Sequence, residues 1–206
     1  DAAENENWKQ VKRLAEVGLE QNFNKSLQQV LYQYLYQEAF QAKNKKRISQ
    51  FAEKLYFMTY ESQYLEEAVK NIAELEIPKY YRNLLEKIEN TPFENNKKEA
   101  VAELYLRLDT IDELFAYIKK IKSLDLLKNL TPVLVNEYKK EIYDMYLYLI
   151  SDYLAYHLGP VPTQRVRNIL LHLRKLGNHD LVHAISDKLI KDFPERPALL
   201  QELEIL

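Results

Sequence analysis

Apolar residues recur every three or four positions along most of this chain, the spacing that puts them on one side of an α-helix. Trp8, Val11, Leu14, Ala15 and Val17 predict a first helix that ends near Gly18. Asn24 reads as the cap of a second helix reaching Gln41, with Leu27, Val30, Leu31, Tyr34, Leu35 and Phe40 on or near one face. The polar run Ala42-Lys43-Asn44-Lys45-Lys46-Arg47 makes a turn, and two helices are predicted over Arg47–Tyr60 and Glu61–Glu76. Pro78 suits the first turn of a helix over Lys79–Glu89, and Asn90-Thr91-Pro92 interrupts the pattern before a helix over Asn96–Leu108. Thr110-Ile111-Asp112-Glu113 has the form of a capping box, in which the Thr hydroxyl and the Glu carboxylate bond each other's backbone amides.

Thr131-Pro132 predicts the start of the longest element, with Thr131 as cap and Pro132 at the first helical position, running to Leu158. At a rise of about 1.5 Å per residue it would span about 40 Å and act as a spine. Its stretch Ile142–Ile150 is apolar almost all round, which predicts a helix surrounded by others. Thr163–Leu176, Gly177 as the residue after a helix end, Asp180–Phe193 and a short last helix to Leu203 complete the series. The segments Leu104–Leu114 and Leu173–Val182 share a form: a helix ending on Leu, a tight polar turn, then an acid beside an apolar residue. Units of about 34 residues of this kind build tetratricopeptide-like arrays, although the small residues and the Trp-Leu-Gly-Tyr pattern of that consensus are mostly missing. The expected fold is all-α, an irregular α-solenoid of stacked antiparallel helix hairpins. It is expected to form a single domain over residues 1–206, with a sub-division near residues 90–96 into 1–90 and 91–206.

Composition narrows the chemistry. The 206 residues are 47% hydrophobic and 29% charged, a globular balance. A net charge of -2 gives no overall pull toward nucleic acid or an anionic membrane. Without any Cys there is no thiol catalysis and no cysteine-ligated zinc or iron–sulfur centre, and the usage fits a reducing, cytoplasmic setting. Three Gly are too few for a phosphate-cradling loop, and they stand against 16 Tyr. No apolar run is long enough to span a bilayer, and the polar start Asp1–Asn7 does not read as a signal peptide. A chain that begins without Met is expected to be an excised domain or a processed product.

The ending Lys191-Asp192-Phe193-Pro194-Glu195-Arg196-Pro197-Ala198-Leu199-Leu200-Gln201-Glu202-Leu203 resembles the closing segment of bacterial SWIM zinc-finger proteins: an aromatic-Pro pair, an Arg, then a Leu-rich helix. Asp112–Ile118, the long Tyr138–Leu158 helix and Arg165–Leu173 are similar in spacing and type, so the resemblance covers residues 48–206. It implies a helical region that follows the finger in a longer protein. The finger's Cys-x-Cys…Cys-x-His set is absent from a chain without Cys, so its zinc and DNA roles do not carry over.

Among candidate sites, His179 and His183 sit at i and i+4 and share a helix face, with Asp180, Asp187 and His172 nearby. They could hold a metal with a third ligand, but no Glu follows His179 as in zinc proteases. A polar, solvated hairpin explains them as well. Tyr138, Tyr143, Tyr146, Tyr153 and Tyr156 share a broad face on a continuous helix and could grip a peptide or stack bases; packing between helices is the plainer reading. Lys43, Lys45, Lys46 and Arg47 form one basic cluster, and Arg165, Arg167, Arg174 and Lys175 another. Either could touch phosphates, or simply balance helix ends. Asp109, Asp112 and Glu113 read as helix-capping acids rather than an acid–base pair.

No nucleophile motif is present. The expectation is a non-enzymatic scaffold without cofactor that binds a protein or peptide, Tyr138, Tyr146, Tyr153, Arg165, Arg167 and Arg174 being the candidate contacts. A nucleic-acid-associated domain is the alternative, and a metal protein or small enzyme centred on His179 and His183 the third.

Overall fold

A computed structural model describes residues 7–21, 23–92 and 96–204. All regular structure in these residues is helical, and its contacts cluster into two compact units, Asp1–Asp109 and Thr110–Leu206. The sub-division expected near 90–96 falls partly on residues 93–95, outside those described.

In the first unit, α1 (Trp8–Glu20), α2 (Lys25–Gln41), α3 (Lys45–Thr59) and α4 (Ser62–Val69) pack each on the next, and α5 (Ile77–Glu89) pairs with α6 (Lys97–Arg107). Asn24 and Asn44 cap α2 and α3, their side chains accepting from the amides of Leu27 (3.0 Å) and Arg47 (3.1 Å). Helix α1 does not stop at Gly18. That residue lies inside it because a Cβ there would come within 2.9 Å of Leu31 on α2, so the glycine permits close packing. The helix expected over Glu61–Glu76 ends at Val69 and resumes only as a 3-10 turn, Glu74–Glu76. Past Val69 the apolar pattern finds nothing to bury, with Leu75 93% exposed. Asn71 instead bonds Ser49 Oγ and the Lys45 carbonyl at the start of α3.

The second unit holds α7 (Ile111–Ile121), α8 (Leu124–Tyr156), α9 (Pro160–Lys175), α10 (His179–Asp192) and α11 (Pro197–Glu204). Helix α8 packs on α7, α9 and α10, and α11 on α9 and α10. Thr110 is at the N-cap of α7 but makes no side-chain capping bond, so the expected capping box is not formed.

Helix α8 corrects the expected spine twice. It starts at Leu124, capped by Ser123, so Thr131 and Pro132 lie inside it. And it is sharply bent: Tyr138, at φ -120° and ψ 32°, is non-helical and separates an arm at 124–137 from one at 139–156. The hydroxyls of Thr131 and Tyr146 are 2.8 Å apart although 15 residues separate them. A straight helix would hold those Cα atoms about 22 Å apart, beyond the reach of the two side chains. The axis therefore turns by about a right angle or more. Both residues are fully buried, and since Thr131 donates to the Leu127 carbonyl (2.8 Å), Tyr146 donates to Thr131. At the far end of α8, Arg196 donates to the carbonyls of Leu154 (2.6 Å) and His157 (3.3 Å), which have no amide ahead of them.

Two buried tyrosines make a paired test. Tyr146 has a bonded hydroxyl, whereas the hydroxyl of Tyr56, also fully buried, has no hydrogen-bond partner among the described residues. Tyr146→Phe should lower hydrogen-exchange protection across residues 124–156 by about 1 kcal/mol, and Tyr56→Phe should leave α3 unchanged or about 1 kcal/mol more protected. Equal losses at both positions would contradict these hydrogen-bond assignments.

Candidate interaction surfaces

The bend sets Tyr138 apart from Tyr143, Tyr146, Tyr153 and Tyr156, which all lie on the arm beyond it. Tyr146 is buried in the core and has no surface to offer a partner. Tyr138 is half-buried, stacks on Phe115 of α7 (centroids 4.0 Å apart, planes 14° apart) and donates its hydroxyl to Asp112. That bond to a carboxylate favours the neutral phenol and pushes its pKa up to about 12. Tyr153 is also half-buried, stacked on His157 at 4.3 Å with the Arg165 guanidinium 4.9 Å from its ring centre.

Two of the four residues of the second basic cluster are committed to carboxylates. Arg165 pairs with Asp125 of α8 at 2.8 Å, and Arg167 with Glu202 of α11 at 2.9 Å. Arg174 and Lys175 are exposed near the end of α9, where cations offset the helix dipole. In the first cluster Arg47 turns inward to Glu38, at 2.5 Å, and covers the Phe51 ring. Lys43, Lys45 and Lys46 stay exposed, the last two lining an open cavity of about 450 Å³ with Ser49, Asn71 and Tyr80.

His179 and His183 are exposed at the start of α10, and the Asp180 carboxylate faces Lys139 at 3.6 Å. The third ligand that a metal would need is not supplied: no group of three or more His, Asp or Glu is placed to hold a metal ion among the described residues. Nor is any helix among them long and apolar enough to cross a membrane.

Most of the exposed large apolar side chains described in the first unit are on its first hairpin, where no candidate contact was expected. Leu14 and Val17 on α1, Phe23 in the turn, and Leu27 and Val30 on α2 are each between 39% and 55% exposed. Leu14 and Val17, like Leu27 and Val30, are spaced i, i+3, so each pair sits on one helix face. The signal was present in α2. Leu27, Val30, Leu31, Tyr34, Leu35 and Phe40 spread apolar residues over more of its circumference than α1 and α3 cover; Leu35 and Ala39 are buried, while Phe40 is 57% exposed. In the second unit the α8–α9 connection exposes Tyr156, Leu158 and Val161 at 72–81%.

No family model, no curated protein and no solved structure matches this chain.

The Tyr138 titration tests the α7–α8 contact. The difference in ultraviolet absorbance between the chain and Tyr138→Phe should titrate near 12, and Asp112→Asn should return it toward the ordinary phenol value of about 10. The neutral phenol is the form the fold prefers. Its contribution to stability is therefore complete below about pH 10 and lost as pH rises toward 12. A Tyr138 titration near 10 in the unsubstituted chain would remove the bond.

Proposed function

We propose that this chain is a non-enzymatic, tetratricopeptide-like solenoid scaffold, and that the apolar face of its first hairpin binds an apolar segment of another protein. The observation that carries the reading is the cluster Leu14, Val17, Phe23, Leu27 and Val30. Five large apolar side chains left part-exposed on one helix pair are more than a solvated face requires. Stacked hairpins suit the role, since each buries one face on its neighbours and the outer faces stay open to a partner. The commitment of Arg165 and Arg167 to carboxylates weighs against the nucleic-acid alternative, because a phosphate would have to displace those carboxylates.

We propose further that the chain is part of a larger SWIM-type protein. What supports this is the sequence resemblance alone, the Phe193-Pro194, Arg196 and Leu-rich order of the closing segment.

Two experiments separate these statements. Immobilised chain should retain a protein that, once identified and purified, rebinds; the double substitution Val17→Asp with Val30→Asp should weaken that binding by at least about tenfold with the Tm unchanged. No purified protein that rebinds, or equal binding by the substituted chain, would end the scaffold reading. For the family, the reading frame immediately upstream of residue 1 should encode a Cys-x-Cys…Cys-x-His set. Its absence would remove the SWIM assignment and leave the scaffold reading standing.

A further inference from the structure

Helix α8 turns back at one residue that is neither Gly nor Pro, with helix on both sides. Tyr138, at φ -120° and ψ 32°, differs from helical geometry by rotations on the order of 60–70° about two bonds. Nothing about an L-residue forbids either state. The sequence pattern itself runs as one helix through Tyr138.

A lone chain pays heavily to straighten. Leu130, Leu134, Ile142, Leu149 and Ile150 are buried, and Tyr146 bonds Thr131 across the bend. Straightening a monomer would separate that pair and expose apolar surface. A second straightened copy can supply the same contacts, because every group lost within one chain is present in the other.

We propose that Tyr138 is a hinge for exchange between two copies of this chain, in which residues 139–204 of each pack on residues 110–137 of the other. The contacts that hold the closed, single-chain form are Tyr138 on Phe115 and its hydroxyl on Asp112. They act as a latch: both are made with the hinge residue in its bent geometry. The Lys122 ammonium, 4.9 Å from the Tyr148 ring centre, ties the end of α7 to the arm beyond the bend and adds to it.

The test uses the full chain, unfolded in denaturant and refolded at concentrations from low micromolar to near-millimolar, with native mass spectrometry as readout. A dimer should appear as concentration rises. It should persist for hours after dilution, because separation requires the second unit to open. Heavy and light chains should mix into heterodimers only when refolded together. Tyr138→Ala removes the latch and favours helix, so it should raise the dimer share by at least about tenfold. Inserting Gly-Ser-Gly between Tyr138 and Lys139 lengthens the turn and should leave only monomer. The proposal is overturned if the chain and Tyr138→Ala both refold to monomer at every concentration. It is equally overturned if the dimer falls apart on dilution as fast as mixing, or if the insertion variant dimerises as much as the original. Should Tyr138→Ala fail to fold, the original chain against the insertion variant decides the matter alone.

Discussion

A buried hydroxyl pair sets the form of the second unit. Tyr146 donates to Thr131, and Thr131 to the carbonyl of Leu127. Each group is removed from water, so each must keep its partner or lose about 1–3 kcal/mol. The pair can meet only if α8 bends. The bend in turn lets one helical segment pack on α7, α9 and α10, which a straight rod of 33 residues could not do within so small a unit. Burial pushes the Tyr146 phenol well above its ordinary pKa, so the hydroxyl stays a donor throughout the physiological range.

The helix ends of both units share a further constraint. With three glycines in the chain, the tight ends of helices fall largely to other residues. Lys43, Tyr60 and Asp109 in the first unit and Lys122 in the second take the left-handed conformation, with φ between 52° and 56°, and Gly177 ends α9 in the same way. Each non-Gly residue there costs about 1 kcal/mol, which packing must offset. Around the turn at Lys43 the offset is visible: the amide of Asn44 reaches back to the carbonyl of Ala39 at 2.9 Å, and Arg47 enters the interior to meet Glu38. The basic run that reads as a solvated cluster thus divides, one cation serving the core and three remaining in water.

Helices were legible because their signal is local. The cap Asn24, Pro78 in the first turn of α5 and Gly177 at the end of α9 all mark where the chain predicts a boundary, while Asn44, which caps α3, lies inside the run read as a turn. The bend in α8 was not legible. Pro132, the one breaker nearby, sits six residues before it within continuous helix, and Tyr138 carries no turn signature. What bends the helix is a contact between residues far apart in number, which periodicity does not encode. The same limit explains the candidate sites. Tyr138 shares a face with Tyr146 and Tyr153 only on a straight helix, so the missed bend misplaced it, while Tyr146 lies on the side of its arm that is buried. The exposed face of α1 and α2 was missed for a related reason: a pattern shows which residues are apolar, and only packing shows which of them go uncovered.

The bend is also what most directly tests the architecture. Because the chain has no Cys, spin labels at Asn129→Cys and Asp152→Cys report one distance without interference. Both positions are exposed, on opposite arms of α8. In the isolated monomer, a turn of a right angle or more at Tyr138 places their backbones about 25 Å apart or less by helical rise. A distribution centred at or below that distance supports the bent helix and the hydroxyl pair that requires it. One centred near 34 Å, the separation along a straight helix, would contradict the account.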